Sequence, residues 1–151
     1  ATKELISTTG LKKMSMIEIA DVSQVSRATL YNHYRDKESV LLALCESELA
    51  RLVEIAQLAP DATSALEQIS IQVSSDPALA AMRIQDPDQL ALALTKHDDH
   101  LWKAFAIAMT HLLGEGKSAL ALRWLLGQAL HPISAQQSRA QAEAITGIAN
   151  L

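Results

Sequence analysis

Residues 15 to 44, SMIEIADVSQVSRATLYNHYRDKESVLLAL, decide the fold of this chain. Ser15 is a good helix N-cap, and Glu18 three positions later completes an S-x-x-E capping box. Apolar residues follow at helical spacing, and a three-residue turn then separates this helix from the next. Ser26 is the next N-cap, and it begins a second short helix that ends near His33. The stretch therefore predicts two short helices joined by a tight turn.

The second helix is predicted to have a polar outer face. Within it, Ala28 and Leu30 are the clearly apolar residues. Its remaining side chains are polar or aromatic: Arg27, Thr29, Tyr31, Asn32 and His33. Asp36 then caps a third helix, which carries Lys37 in its first turn. This arrangement is typical of the helix-turn-helix unit, in which the second helix enters a DNA groove.

Here the sequence resembles the DNA-binding segment of the TetR (tetracycline-repressor-like) transcriptional regulators. The matching features are the pair Ile19 and Ala20, the pair Val25 and Ser26, the segment TLYNHY from Thr29 to Tyr34, and Lys37, Glu38 and Leu41. Gln24 stands where the family usually has Gly, and a non-Gly residue with positive φ is modestly strained. The resemblance covers roughly the first fifty residues. The remainder is similar only in its Ala- and Leu-rich helices.

The expected DNA contacts divide into base contacts and phosphate contacts. Arg27 suits a guanine, Ala28 suits a thymine methyl group, and Asn32 would reach a base or the backbone. We expect the remaining DNA-binding residues to be Ser15, with the backbone N–H groups near it, Ser26, Thr29, Tyr31, His33 and Lys37.

Composition sets the outer limits of the fold. The chain has 151 residues, 49% of them hydrophobic, with few Gly and Pro, which favours an all-α protein. No apolar run reaches the roughly 18 residues of a membrane span, and no signal peptide is visible, so we expect no membrane partner. Because the chain opens at Ala1, we expect an initiator Met and a short basic tail to precede it. The single Cys45 fits a reducing cytoplasm, and we expect it to be a buried structural thiol.

Charge is distributed unevenly along the chain. Residues 1–44 hold six Lys and Arg against five Asp and Glu, a balance of +1. Residues 45–151 hold seven against twelve, a balance of −5, and the net charge is −4. An acidic body limits non-specific DNA affinity, whereas a locally positive face can still hold a site. We therefore expect strongly salt-dependent binding with modest non-specific affinity.

Domain organisation follows from the helix signals. We predict a helix-turn-helix DNA-binding domain at 1–45 and a helical regulatory core at 46–151. The predicted helices run from Asp36 to about Leu58, from 61 to 74, from Pro77, from Pro87, from Asp98 or Asp99 to Leu113, from 117 to 130 and from 134, with a loop at 114–116.

The last two helices, at about 117–131 and 134–151, are the candidates for dimerisation. Stripes of apolar and small residues run along them, which would let helices of two subunits approach closely. The predicted interface residues are Leu120, Ala121, Trp124 and Gly127 on the first helix, and Ala142, Ile145 and Ala149 on the second. The alternative is that these stripes are core within one chain.

A possible effector pocket is indicated by aromatic and Met residues at helical spacing. The candidate ligand-binding residues are Met82, Trp102, Phe105 and Met109. Such a stripe is more often core, and this alternative stays open. His97, Asp98, Asp99 and His100 offer metal-type ligands, but Asp is expected as a cap at a helix start. We therefore predict no metal and no cofactor.

These observations predict a dimeric, sequence-specific DNA-binding transcriptional regulator that binds a palindromic double-stranded operator. The resemblance implies a repressor whose operator binding is released by a small apolar effector. The alternative is a dimeric helical small-molecule-binding protein without DNA function. An enzyme is disfavoured, because the sequence has no Gly-flanked nucleophile, no phosphate-cradling Gly loop and no paired carboxylates in an apolar setting.

Overall fold

The computed structural model describes residues 1–95 and 100–149, and these form α-helices without any β-strand. In chain order they are α1 (Thr2–Thr9), α2 (Met16–Val22), α3 (Arg27–His33), α4 (Lys37–Leu58), α5 (Ala62–Ser74), α6 (Pro77–Gln85), α7 (Pro87–Thr95), α8 (His100–Leu113), α9 (Glu115–Leu130) and α10 (Ala135–Thr146). The predicted all-α class, with an N-terminal helix-turn-helix followed by a helical domain, is confirmed.

Several helix starts are capped by side chains that lie close in sequence. The Ser15 hydroxyl accepts from the Glu18 N–H at 3.3 Å, and the Glu18 carboxylate accepts from the Ser15 N–H at 2.8 Å. Ser134 and Gln137 form the same capping box at the start of α10. Such caps satisfy N–H groups that have no partner inside the helix, and each is worth about 1 kcal/mol. These predicted starts are confirmed.

The chain divides into two compact units, and the first comprises residues 1–48 and 77–95. Its core is built from α1 to α4 and from Ala78 of α6, and Met82 packs against this core. The largest fully buried side chains there are Met14 and Ile19. The sequence placed a boundary at residue 45, which stays a prediction. In the structure, residues 77–95 also belong to the first unit, because α6 packs against α1 and α7 packs against α6.

The second unit comprises residues 49–76 and 96–151, and its core combines α4, α5 and α8 to α10. Leu66 and Ile69 of α5 are fully buried. A polar cluster lies within this unit: the Ser70 hydroxyl donates to Gln128 Oε1 at 2.6 Å and lies 2.6 Å from the Ser138 hydroxyl. Gln128 Nε2 has no partner among the described residues, so this buried amide donor is left without a hydrogen bond there.

Several predicted positions are wrong. The predicted loop at 114–116 is a single residue, because Gly114, with φ 83°, ends α8 and Glu115 at once starts α9. The final helix ends at Thr146 rather than 151, so Ala149 lies beyond it. Cys45 is exposed rather than buried, because the core contacts of α4 stop at Leu44 and resume at Leu49. The predicted cap at Asp98 or Asp99 lies outside the described residues, as does His97.

Candidate nucleic-acid interface

The turn between α2 and α3 sets the direction of α3. Gln24 has φ 57°, the left-handed conformation that the sequence predicted for this position. The Val25 N–H then donates to the Ala20 carbonyl at 3.1 Å, which closes the turn against α2. A left-handed residue is uncommon outside Gly, so the turn holds a small amount of backbone strain.

Helix α3 presents almost its whole surface outward. Leu30, 6% exposed, is its anchor in the core of the first unit. The other residues of the helix are all exposed, as predicted: Arg27, Ala28, Thr29, Tyr31, Asn32 and His33. Ser26 caps the helix by accepting from the Thr29 N–H at 3.0 Å, and its hydroxyl also lies 2.8 Å from that of Thr29. Because one apolar residue and one cap hold this short helix, its other side chains remain accessible to a partner.

The floor behind α3 is apolar. A shallow groove of about 310 Å³ lies between α2, α3 and α4, and Ile19, Leu30, Val40 and Leu44 contribute its apolar lining. Ile19 and Val40 are also buried core residues, so the groove rests directly on the core. Thr29 and His33 of α3 also line this groove.

Lys37 is less exposed than the polar residues of α3. Its ammonium group donates to the carbonyls of Leu11 and Met14, both at 3.1 Å, and the residue is half-buried. These carbonyls belong to the loop between α1 and α2, which helix hydrogen bonding leaves without partners. An ammonium group has three N–H donors, so one donor is left after these two bonds.

Ser15 also differs from its predicted role. Its hydroxyl donates to the Glu18 carboxylate at 2.8 Å, and its N–H donates to the same oxygen. The Ser15 N–H is therefore already used within the capping box. A nearby carboxylate also disfavours a phosphate at the same N–H, because both groups are negative.

The charges around this unit are partly neutralised. The Lys12 ammonium lies 2.9 Å from the Asp88 carboxylate, and that hydrogen bond raises the pKa of Lys12. The pKa of Asp36 is lowered, first by the backbone N–H of Ser39 and also by its hydroxyl. By contrast, the exposed side chains of Arg27 and Lys13 have no hydrogen bond or ion pair within the described part of the chain. These two cations are available to an anionic partner.

The predicted ligand-binding residues belong to two different cores. Met82 packs against the core of the first unit, whereas Trp102, Phe105 and Met109 belong to the core of the second. Phe105 and Met109 are 3% and 1% exposed, which agrees with the alternative reading that this stripe is core. Within residues 1–95 and 100–149, no cluster of three metal-type ligands is found.

The predicted dimer residues divide into two sets. Ala121, Ala142 and Ile145 are buried in the core of the second unit, which agrees with the alternative that these stripes are core within one chain. A helix that packs on two neighbours buries apolar stripes on more than one side, and sequence spacing cannot say which stripe remains outside. Leu120, Gly127 and Ala149 are exposed, and Trp124 is half-buried with its indole N–H donating to Gln141 Oε1 at 2.6 Å.

A capped, outward-facing polar helix, joined by a tight turn to a packed helix, defines a helix-turn-helix DNA-binding unit. Residues 1–44 match the family model described as bacterial regulatory proteins, tetR family. Residues 1–44 therefore form a helix-turn-helix DNA-binding domain similar to that of the tetR-family regulators, which supports a role in DNA-binding transcriptional regulation. No curated protein and no solved structure matches the chain. None of the helices in the described ranges is long and apolar enough to cross a membrane.

Proposed function

We propose that the protein is a homodimeric repressor that binds a palindromic operator through two copies of α3. The observation that carries this proposal is the outward polar surface of α3, anchored by Leu30 and capped by Ser26. One seven-residue helix offers too few contacts for selective binding. Two copies related by a two-fold axis would read half-sites about 34 to 36 Å apart on one face of the duplex.

Specificity is assigned to the first residues of α3. Arg27 has a planar, always charged guanidinium suited to a guanine, and Ala28 would contact a thymine methyl group. Asn32, one turn further along, would reach a base or the backbone. The exposed Arg27 side chain supports this assignment, since it need not break an ion pair among the described residues in order to bind.

Affinity is assigned to the phosphate contacts. Thr29, Tyr31 and His33 are exposed around the base-reading residues, and Ser26 holds the Thr29 hydroxyl by a hydrogen bond. Lys37 would bind a phosphate through its remaining N–H donor. Ser15 would contribute through its position at the start of α2 rather than through its own N–H. Such contacts fix the register without reading sequence.

Dimerisation is assigned to the exposed faces of α9 and α10. Leu120 and Leu130 are 36% and 45% exposed, and Gly127 is exposed between them on α9. On α10 the exposed face carries the small residues Ala140 and Ala144. Small side chains permit close helix approach, and two helices from each subunit would form a four-helix bundle.

The test of operator binding is selection of duplexes from a random library by the purified full chain at fixed salt. A palindromic consensus with half-sites one helical turn apart is expected. A protein that enriches no sequence, or a single asymmetric half-site, would contradict the proposal.

The test of the dimer is sedimentation equilibrium on Leu120→Glu, with Ile107→Glu as the matched control. Ile107 is 60% exposed on α8, outside the proposed interface. A charge at Leu120 would be desolvated between subunits, so we expect Leu120→Glu to dissociate the dimer and Ile107→Glu to leave it intact. Equal behaviour of the two variants would exclude this face.

Release of the operator by a small apolar effector is proposed as the regulatory step. The supporting feature is the half-buried Trp102, which packs beside the buried Phe105 and Met109 in the second core. A ligand shifts the equilibrium only if it binds the form that does not hold DNA more tightly. The test is titration of the protein–operator complex with 8-anilinonaphthalene-1-sulfonate. A Trp124→Phe variant is used, so that the tryptophan fluorescence reports on Trp102. Bound dye without operator release would reject the coupling.

A further inference from the structure

The loop between α1 and α2, residues 10–14, is held by two charged side chains from distant parts of the sequence. Asp86 is 2% exposed and is the buried charged residue of the described chain. Its carboxylate accepts from the Leu11 N–H at 2.7 Å and from the Lys12 N–H at 3.3 Å. A buried carboxylate is costly unless it is hydrogen-bonded, so these two bonds are what allow Asp86 to lie there.

Lys37 holds the same loop through its carbonyls. Its ammonium donates to the carbonyls of Leu11 and Met14, so Leu11 is bound through its N–H by Asp86 and through its carbonyl by Lys37. Opposite charges therefore hold complementary backbone groups of one short loop. The conformation of the loop is fixed without any regular secondary structure.

The backbone of Asp86 is itself fixed. Its N–H donates to the carbonyl of Met82 in α6 at 2.9 Å, and its carbonyl accepts from the N–H of Leu90 in α7 at 3.0 Å. Gly10, with φ 84°, permits the close approach, because a Cβ there would lie 3.3 Å from Asp86 Oδ2 and nearer still to Gln85 Oε1. The junction of α6 and α7 is thus a rigid support for the loop.

Lys13 is the side chain that this support presents. Lys12 before it is bound through its N–H and paired with Asp88, and Met14 after it is 2% exposed. Lys13 is exposed and has no partner within the described ranges. Its loop is the one that Lys37, a proposed phosphate contact, touches. Because the backbone of the loop is already fixed, binding of an anion by Lys13 has to order only its side chain.

We propose that Lys13 is a further DNA phosphate contact and that Asp86 is the positioning residue that holds it in place. This inference rests on the proposed operator binding. It assigns a role in DNA binding to α6 and α7, for which the sequence predicted only helices that begin at Pro77 and Pro87.

The experiment is anisotropy titration of the selected operator over a range of salt concentrations with four variants of the full chain. Lys13→Ala should weaken binding about fivefold and reduce the salt slope by about one unit. Lys103→Ala removes another exposed lysine, from α8, and should change neither quantity. If Lys13→Ala matches wild type while wild type binds the operator, the inference is wrong.

Asp86→Asn and Asp88→Asn form the second, charge-matched pair. Each removes one negative charge, which alone favours binding to a polyanion. We expect Asp88→Asn to bind as tightly as wild type or more tightly, because it releases Lys12. Asp86→Asn should weaken binding instead, since an amide accepts the loop N–H groups less strongly than a carboxylate does.

A double-mutant cycle separates positioning from general stability. If Asp86 acts through Lys13, adding Lys13→Ala to Asp86→Asn should cost much less than it costs in wild type. Additive losses, or a lower Tm with an unchanged salt slope, would reduce Asp86 to a structural residue. Should Asp86→Asn fail to fold, Lys13→Ala against Lys103→Ala still decides the phosphate contact. Absence of any operator for wild type would instead reject the proposed function itself.

Discussion

Helices α3 and α9 use apolar residues in opposite ways. In α3, Leu30 alone is buried and the rest of the helix faces solvent. In α9, five residues are buried, including the polar Ser118 and Gln128, while Leu120 and Leu130 are exposed. Polarity therefore indicates the exposed face correctly in α3 and fails to do so in α9. The difference follows from the number of neighbours that each helix packs against.

The contrast shows in which kind of helix the sequence alone indicates a functional surface. A helix with a single buried anchor leaves its other residues to be selected for a partner. A helix that packs against several neighbours must satisfy several contact surfaces at once, and its polarity then no longer indicates which face is exposed. The predictions below test this contrast between a binding surface and a packed core.

The largest effect is expected in the second core. Leu66→Ala removes a fully buried side chain packed between helices. We expect it to lower the free energy of unfolding by about 2–5 kcal/mol, through lost burial and the cavity left behind. Urea unfolding followed by circular dichroism measures this. Leu58→Ala is the control, because Leu58 is 79% exposed and its loss should matter by less than about 0.5 kcal/mol.

Arg27→Ala should do the reverse, leaving stability unchanged while changing recognition. The exposed guanidinium has no partner in the described part of the chain, so its removal disturbs no packing. We expect about 1–3 kcal/mol less discrimination at one base pair of each half-site. Competition titrations with single-base operator variants would show it. An equal loss of affinity for all operator variants would instead assign Arg27 to the phosphate contacts.

Lys37→Ala is expected to weaken all sequences about equally and to flatten the salt slope by about one unit. Because Lys37 also holds the carbonyls of Leu11 and Met14, a modest fall in Tm should accompany the change. Titrations of specific and random duplexes, together with thermal unfolding, separate the two consequences. A fall in Tm without a change in slope would leave Lys37 a purely structural role.

The smallest effect is expected at the turn. Gln24→Gly should raise the free energy of unfolding by about 0.5–1 kcal/mol, because Gly adopts positive φ without steric cost. Thermal unfolding checks the sign. Ala50→Gly, on an exposed interior position of α4, is the control and should destabilise instead. A destabilised Gln24→Gly would show that the Gln side chain matters more than the backbone.

What the sequence predicted well depends on neighbouring residues. The capping boxes at Ser15 and Ser134, the cap at Ser26 and the left-handed Gln24 all follow from interactions within a few positions. The exposed face of α3 follows equally, since a seven-residue helix with one strong apolar anchor has few ways to pack.

What the sequence missed depends on contacts between distant residues. Asp86 and Leu11 are 75 positions apart, and Lys37 and Leu11 are 26 apart. No local pattern marks such pairs. Likewise, Ala121 and Ala142 resemble interface residues in sequence, and only the packed helices show that they face their own subunit.

The first unit is assembled from two separate stretches of chain, and this limits how its parts can be exchanged. A chimera that grafts residues 1–48 onto another regulator would leave Leu5 and Ile6 without Ala78, and Leu11 without its carboxylate acceptor. Transplanting 77–95 along with it would keep these contacts. The first unit therefore has to be exchanged as two segments together rather than as one contiguous module.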